Sequence, residues 1–307
     1  MSRELVVVGA GPAGISAALW AHSLELDVLL LDAAPAPGGQ LHVVHFHPLA
    51  VPGFEQGDGP ALAAACARQL QSAGVPWRGD CAAVSLRTAA APGGPAEVGC
   101  ADGSLVRARA VLVATGARRR RLDVPGEREL EGHGVSFSAT RDHASLAGQP
   151  VAVVGGGDAA FENALLLAAA GSEVDLFVRG EIRARSEFRE RVAADPRIRV
   201  HRSSRLTAIL GDRTVAAVRV ERDGAEEEFA TRGVVIKIGV LPNSEWCREA
   251  VATDPEGYVC TGAELATSAP GVWAAGDIIR PVPPSIPVAM GQGAQAATAV
   301  RRALRGD

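Results

Sequence analysis

The residues with the clearest chemical meaning lie near the start of the chain, where Gly9-Ala10-Gly11-Pro12-Ala13-Gly14 is followed by an acid at Asp32. Glycines at this spacing suit phosphate binding. Gly9 permits a tight turn, Gly11 lets the backbone approach a pyrophosphate, and Gly14 lets a helix pack on a sheet. A helix starting here would offer free N–H groups and the positive end of its dipole. Asp32 lies 23 positions after Gly9, where an acid accepts from ribose hydroxyls. A glycine-rich structural turn is the competing reading, and the surrounding elements weigh against it. The apolar run Leu5-Val6-Val7-Val8 predicts a buried parallel strand, Ile15 to Ser23 a helix, and Val28-Leu29-Leu30-Leu31 a second strand ending at Asp32.

A second copy begins at Val151. A strand, Val151-Ala152-Val153-Val154, runs into Gly155-Gly156-Gly157-Asp158-Ala159-Ala160; a helix over about Ala159 to Ala170 and a strand over Glu173 to Val178 follow. At the same 23-residue offset stands Val178, not an acid, with Arg179 next and Arg183 and Arg185 soon after. Loss of the acid and gain of arginine suit a 2′-phosphate, which leans this site towards NADP(H) over NAD(H). A solvated arginine loop is the alternative. Two such units in one chain imply two dinucleotides, the arrangement of an enzyme that passes hydride from a nicotinamide to a flavin.

The remaining segments fit around these units. Val111 to Gly116 and Val272 to Asp277 each read as a short apolar strand ending in a glycine turn. Gly/Pro punctuation at 92–95 and 102–103 predicts a hairpin region. The run Arg118-Arg119-Arg120-Arg121 reads as a solvated turn, with a phosphate contact as the other reading. Together with the Gly233–Gly239 stretch it marks the expected crossings between domains.

Composition excludes several classes. Hydrophobic residues make up 47% and charged ones 21%, as in a soluble globular protein. A net charge of −4 argues against a nucleic-acid binder. No segment reaches the roughly 18 unbroken apolar residues of a membrane span. The glycines and proline of the N-terminal stretch argue against a signal peptide, so a cytoplasmic protein is expected. The five cysteines, Cys66, Cys81, Cys100, Cys247 and Cys260, form no C-x-x-C pair and suit neither a disulfide framework nor a zinc site. They read as buried structural thiols.

Taken together, these motifs resemble the low-molecular-weight thioredoxin reductases of the pyridine nucleotide-disulfide oxidoreductases. The resemblance spans nearly the whole chain. It adds Gly38-Gly39-Gln40, the Ala114-Thr115-Gly116 turn, Ile238-Gly239 followed by Pro242-Asn243, and Gly276-Asp277. It implies an α/β fold of two Rossmann-like dinucleotide-binding domains of the three-layer ββα type, with the NAD(P)H domain inserted into a discontinuous FAD domain. Carried over, residues 1–117 and 240–307 hold FAD, and 118–239 hold the nicotinamide cofactor, NADPH or alternatively NADH. A homodimer is implied, with domains that rotate to alternate the flavin's partners. FAD is expected at Gly9, Gly11, Pro12, Ala13, Gly14, Asp32, Gly39, Gln40, Thr115, Gly116, Gly276, Asp277 and the Ile286-Pro287-Val288 backbone. The nicotinamide cofactor is expected at Gly156, Gly157, Asp158, Ala159, Ala160, Arg179, Arg183 and Ile238. Outside the resemblance, Gly38-Gly39 could be a plain turn and Asp277 only a helix N-cap.

The departure from this family concerns its redox-active cysteines. Its C-A-T-C stretch corresponds here to Ser138-Ala139-Thr140-Arg141, inside Gly134 to Asp142. Serine and arginine carry no disulfide, and Ser138 forms no attacking thiolate. The family's H-R-R-x-x-x-R also survives only in part, as Arg179 and Arg183 around Gly180. The histidines His42, His45 and His47 read as packing, flavin-tuning or metal-binding groups. With no acid or cysteine beside them, no metal is assigned. Read as a strand, the segment would place His45 and His47 on one face.

The expected activity is hydride transfer from NAD(P)H to FAD and on to an acceptor other than an internal disulfide: ferredoxin or flavodoxin, a quinone, or a small oxidant. Ser138 and Arg141 are the positional candidates for the acceptor side, where Arg141 could attract an anion or stabilise reduced flavin. The alternative is a non-catalytic flavin-binding redox sensor or interaction protein with a degenerate nicotinamide site.

Overall fold

The computed structural model describes residues 2–88 and 94–306. The chain forms two compact units: Met1–Arg118 with Leu241–Asp307, and Arg119–Val240. Its helices are α1 Pro12–Ser23, α2 Gly59–Ala73, α3 Ala139–Leu146, α4 Asp158–Ala169, α5 Ser186–Ala194 and α6 Ile286–Arg305.

The first unit is built on a mixed sheet. Strands Trp77–Arg78, Val28–Leu31, Arg3–Val8 and Leu105–Val113 run parallel in that order, with Leu5 opposite both Val28 and Ala110. The long strand Leu105–Val113 does double duty. Its end also pairs in parallel with Val272–Ala274, while its beginning pairs antiparallel with Ala96–Cys100, which continues to Ala83–Arg87. The apolar run in Arg3–Val8 feeds both faces of the sheet. Leu5 and Val7 enter the core shared with α1, α2 and α6, whereas Val6 and Val8 enter the core beneath the antiparallel strands. The turn at 102–103 joins Ala96–Cys100 to Leu105–Val113, with Gly103 at a φ of +84°. The turn read at 92–95 lies partly outside the described residues.

Helix α1 is apolar around most of its circumference because it is covered on several sides. The closest cover is α6. A Cβ on Gly293 would stand 2.1 Å from the Ala13 carbonyl oxygen, so only glycine allows this approach. Ser16 Oγ donates to the Met290 carbonyl at 2.7 Å and Trp20 Nε1 to Thr298 Oγ1 at 2.9 Å along the same seam.

The second unit holds a five-stranded parallel sheet in the order Ile198–Arg202, Val174–Val178, Val151–Val154, Gly233–Ile236, Val135–Ser136. Beside it lies an antiparallel sheet of Ser204–Leu210, Ala217–Arg222 and Ala225–Ala230. Helices α3 and α4 pack on one face of the parallel sheet, and the antiparallel strands on the other.

Several sequence expectations change here. Helix α1 begins at Pro12 and α4 at Asp158, because Gly11 and Gly157 already serve as N-caps. Within the Gly233–Gly239 stretch, Gly233–Ile236 is a fully buried strand with a neighbour on each side, and the division between units falls just beyond the stretch, after Val240. The arginine run is not a solvated turn. Ala117–Arg119 is a strand, and each arginine has a partner. Arg118 Nη2 meets Glu245 at 2.5 Å, Arg119 lies over the Phe137 ring, Arg120 Nε donates to the Val240 carbonyl at 3.1 Å, and Arg121 Nη2 meets Glu131 at 2.7 Å. No helix of the described residues is long and apolar enough to cross a membrane.

Replacing Gly293 with valine should force α6 away from α1 and lower stability by about 1–3 kcal/mol. Thermal unfolding of the variant checks this, and an unchanged melting temperature would contradict the seam described here.

Candidate functional site

The first strand–glycine–helix unit forms one wall of a cavity of about 810 Å³, within the range of cofactor sites. Gly9 has a φ of +105°, and a Cβ there would stand 2.4 Å from the Ala114 carbonyl oxygen. Gly14 is equally constrained, since its Cβ would stand 1.7 Å from the Gly9 carbonyl oxygen. Gly11 differs: a Cβ there would meet nothing within 4 Å. The protein therefore leaves room at Gly11, where a phosphate would approach. As N-cap of α1, Gly11 offers no side chain to the helix, and Pro12 takes the first position. The first free N–H groups of α1 are left for a ligand.

Asp32 holds this loop and faces the cavity. One carboxylate oxygen accepts from the Ala10 amide and the other from the Ala34 amide at 2.7 Å. Each oxygen keeps a second lone pair for a hydroxyl. Gly39 packs on Gly11: its Cβ would stand 2.9 Å from the Gly11 Cα. Gln40 Nε2 donates to Asp277 Oδ2 at 2.9 Å, so these two side chains, distant in sequence, act together. Asp277 opens a short 3₁₀ turn but does not cap it with its side chain, and the capping alternative does not hold. Gly276 N donates to Gln292 Oε1 at 2.9 Å.

Asn243 closes the opposite wall. Its Nδ2 donates to the Thr115 carbonyl at 2.8 Å, its amide to the Gly116 carbonyl at 2.9 Å, and its carbonyl accepts from Thr115 Oγ1 at 2.8 Å. Arg118 Nη1 in turn donates to Asn243 Oδ1 at 2.9 Å.

Of the residues expected at FAD, Gly9, Gly11, Pro12, Ala13, Asp32, Gly39, Gln40, Thr115, Gly116, Gly276, Asp277 and Ile286 line this cavity. Gly14, Pro287 and Val288 do not. Gly14 lies under the loop, and the other two stand between Ile286 and Ala289 in the first turn of α6. Cys81 to Val84, Asn243, Glu245 and Trp246 line it as well, without having been foreseen from the sequence. They belong to no glycine motif; the only signal was Asn243, which stands beside Pro242 in the family resemblance.

The histidines are not on a strand. Gly39–Val43 is a 3₁₀ helix. His42 Nε2 lies 3.1 Å from the Pro37 carbonyl, and His47 Nδ1 lies 2.9 Å from the Gly57 carbonyl, with its ring stacked on Phe54. Among the described residues no three His, Cys, Asp or Glu groups gather as a metal site.

The second unit repeats the backbone hydrogen bonds that hold the first loop. Gly9 N donates to the Leu31 carbonyl, and Gly155 N to Phe177. Gly38 N donates to the Ala10 carbonyl, and Arg183 N to Gly156. Val178 occupies the place of Asp32. It is buried, and a Cβ on Gly156 would stand 2.9 Å from its Cγ1, so glycine replaces the Ala10 of the first loop. Gly157, like Gly11, has open space where a Cβ would be. Ala160 is packed behind the loop and Ala159 is exposed at the helix start. Asp158 is held by Arg185, with Nε to Oδ2 at 2.7 Å and the Arg185 amide to Oδ1 at 2.8 Å; that backbone bond and the guanidinium hold its carboxyl below the usual range. Arg185 is thereby occupied. Arg179 and Arg183 are exposed, and no side-chain partner binds their guanidinium groups among the described residues.

At the place of the family's cysteine pair, both residues are engaged within the unit. Ser138 caps α3, its Oγ accepting from the Arg141 amide at 3.3 Å. Arg141 forms a two-point pair with Asp142, Nε to Oδ1 at 2.8 Å and Nη2 to Oδ2 at 2.6 Å, which raises its pKa. It is not the free cation that an anion-attracting role requires.

The family model described as "Pyridine nucleotide-disulphide oxidoreductase" matches residues 3–293. The chain belongs to this family. It is 34% identical over 307 residues to an alkyl hydroperoxide reductase protein of Pseudomonas putida, covering 96% of this chain and 57% of that protein. It thus spans little more than half of that relative's length. It is 33% identical to the thioredoxin reductase of Streptomyces coelicolor, covering 96% of this chain and 92% of the relative. A crystal structure of Lactococcus lactis thioredoxin reductase in the FR conformation matches the whole of both chains with a TM-score of 0.80 at 30% identity. The fold is the thioredoxin reductase fold of two Rossmann-like domains, one inserted in the other. The thioredoxin reductases among these relatives use FAD and NADPH. The open space at Gly11, the acid at Asp32 and the free amides of α1 fit FAD, and the loop at Gly157 with Arg179 and Arg183 fits a phosphorylated dinucleotide.

No thiol stands at 138–141; elsewhere Cys81 Sγ lies 2.8 Å from Cys100 Sγ, both as free thiols. Cys66, Cys81, Cys100 and Cys247 are buried, and Cys260 is exposed, contrary to the buried reading of all five. Burial and the neighbouring Cys100 push the Cys81 thiol up to about 12, and burial pushes Cys247 to about 12. At neutral pH an aromatic disulfide reagent should therefore titrate one thiol rapidly in the native protein and all five after unfolding. Two or more rapid thiols would contradict this placement.

Proposed function

We propose that the protein is an NAD(P)H-oxidising FAD enzyme that delivers electrons to an external acceptor and not to a disulfide of its own. The observation that carries this reading is the pair Ser138 and Arg141: one caps a helix, the other is bound by Asp142, and neither is a thiol. Unit Met1–Arg118 with Leu241–Asp307 takes FAD, and unit Arg119–Val240 takes the nicotinamide dinucleotide. NADPH is preferred because Val178 offers no acceptor to a ribose hydroxyl while Arg179 and Arg183 are free for a 2′-phosphate.

Bound FAD supplies the two-electron centre that receives hydride from the nicotinamide. The chain's part is positional. The α1 amides beside Gly11 hold the pyrophosphate, Asp32 holds a ribose, and Asp277, itself oriented by Gln40, holds a polar group further along the cofactor. No side chain is needed as acid or base in the hydride step. Oxidised ferredoxin or flavodoxin, a quinone, or a small oxidant takes the electrons and completes the turnover, and the working form is a homodimer.

The test is steady-state NADPH oxidation by the purified yellow protein with three acceptors: a benzoquinone, ferredoxin, and thioredoxin. Turnover with the quinone or ferredoxin, and none with thioredoxin, is the expected outcome. Thioredoxin reduction would sink the reading, and so would failure of every acceptor together with unchanged flavin absorbance.

A further inference from the structure

The chain has thirty arginines and one lysine, Lys237. Its position follows from the internal repeat. Ala114 N donates to the Val8 carbonyl at 2.8 Å, and Lys237 N donates to the Val154 carbonyl at 2.8 Å. A Cβ on Gly9 would strike the Ala114 carbonyl oxygen at 2.4 Å, and one on Gly155 would strike that of Lys237 at 2.1 Å. Lys237 is therefore the second unit's counterpart of Ala114, and Ala114 lines the dinucleotide cavity of the first.

Strand alternation places the side chain. Val234 and Ile236 belong to the core beneath the antiparallel strands, and Val235 to the core under α3 and α4. Lys237 continues the Val235 face, at the carboxyl end of the sheet, the side on which open α/β sheets bind ligands. It is only partly exposed, and its ammonium has no hydrogen bond or ion pair among the described residues. The charged groups facing it are Arg119 at the unit's start and Glu162 on α4; Arg119 in turn faces Arg141, Glu131 and Asp142. Burial, then Arg119, lowers its pKa, with Glu162 acting the other way. A half-buried cation next to a second cation, with no partner of its own, is costly unless an anion completes it.

We propose that Lys237 binds the phosphates that NADP(H) and NAD(H) share, making it an affinity-determining residue of the second unit that the first unit, with Ala114, lacks. This rests on the second unit being the nicotinamide site. Its signature differs from that of Arg179 and Arg183, which would contact only the extra 2′-phosphate of NADP(H).

The experiment is calorimetric titration of the FAD-loaded protein with NADP⁺ and with NAD⁺. Lys237→Ala should weaken both by at least tenfold and by similar factors, and Lys237→Arg should recover most of the affinity. Arg179→Ala should weaken NADP⁺ alone. In parallel, acetic anhydride acylation of the wild-type lysine, read by peptide mass, should be slowed several-fold by saturating NADP⁺. The labelling needs no variant, so it decides the matter should Lys237→Ala fail to fold. Unchanged affinities in Lys237→Ala, a loss confined to NADP⁺, or acylation indifferent to NADP⁺ would overturn the assignment. If the wild type binds neither dinucleotide, the nicotinamide site itself falls and Lys237's role with it.

Discussion

A carbonyl oxygen pressed against a glycine, used twice, underlies everything else in this chain. In the first unit the Ala114 carbonyl occupies the space where a side chain at position 9 would be, and in the second the Lys237 carbonyl does so at position 155. Each contact locks the end of a parallel strand to its neighbour, and the chain must then turn sharply at a positive φ into a helix. The helix starts with an N-cap glycine whose missing side chain can neither donate nor accept, so its amides stay free. The open helix terminus is thus a by-product of strand packing: the geometry that closes the sheet leaves the first amides of the helix uncapped.

Charge distinguishes the two copies. The first loop carries Asp32, which ties down the Ala10 amide and still presents an acceptor. The second has lost that acid to a buried valine and replaced it with cations. Many of the chain's arginines satisfy carboxylates elsewhere, including Arg118 with Glu245, Arg141 with Asp142 and Arg185 with Asp158. Those pairs remove Arg141 and Arg185 from consideration as anion sites. Close to the second glycine loop, Arg179, Arg183 and Lys237 have no carboxylate partner among the described residues.

The strands and glycine loops were legible because their signals are local: four apolar residues in a row, then glycines at fixed offsets. The replacement of the C-A-T-C cysteines was equally legible, since it needs only two positions. What local reading missed depends on partners far along the chain. Arg118 to Arg121 looked like a solvated turn because Glu245 and the Val240 carbonyl lie more than a hundred residues away. The strand Gly233–Ile236 went unread inside the Gly233–Gly239 stretch because a short strand buried on both faces carries no alternation. Ser138 could have been read as a helix cap from the serine alone. The strand Ala217–Arg222 alternates Val218 and Val220 with charged residues and was open to reading, whereas Lys237 was hidden next to Ile238-Gly239 and shows its significance only when the two units are compared.

On the proposed reading the flavin is loaded by NADPH and has no internal disulfide to unload into. Anaerobic titration of the FAD-loaded protein with NADPH, followed by flavin absorbance, counts the electrons the protein stores. Full bleaching after one equivalent per FAD is the result predicted, two electrons residing on the flavin alone. A requirement for two equivalents, with two new thiols appearing, would show an internal disulfide in exchange with the flavin and would contradict the account.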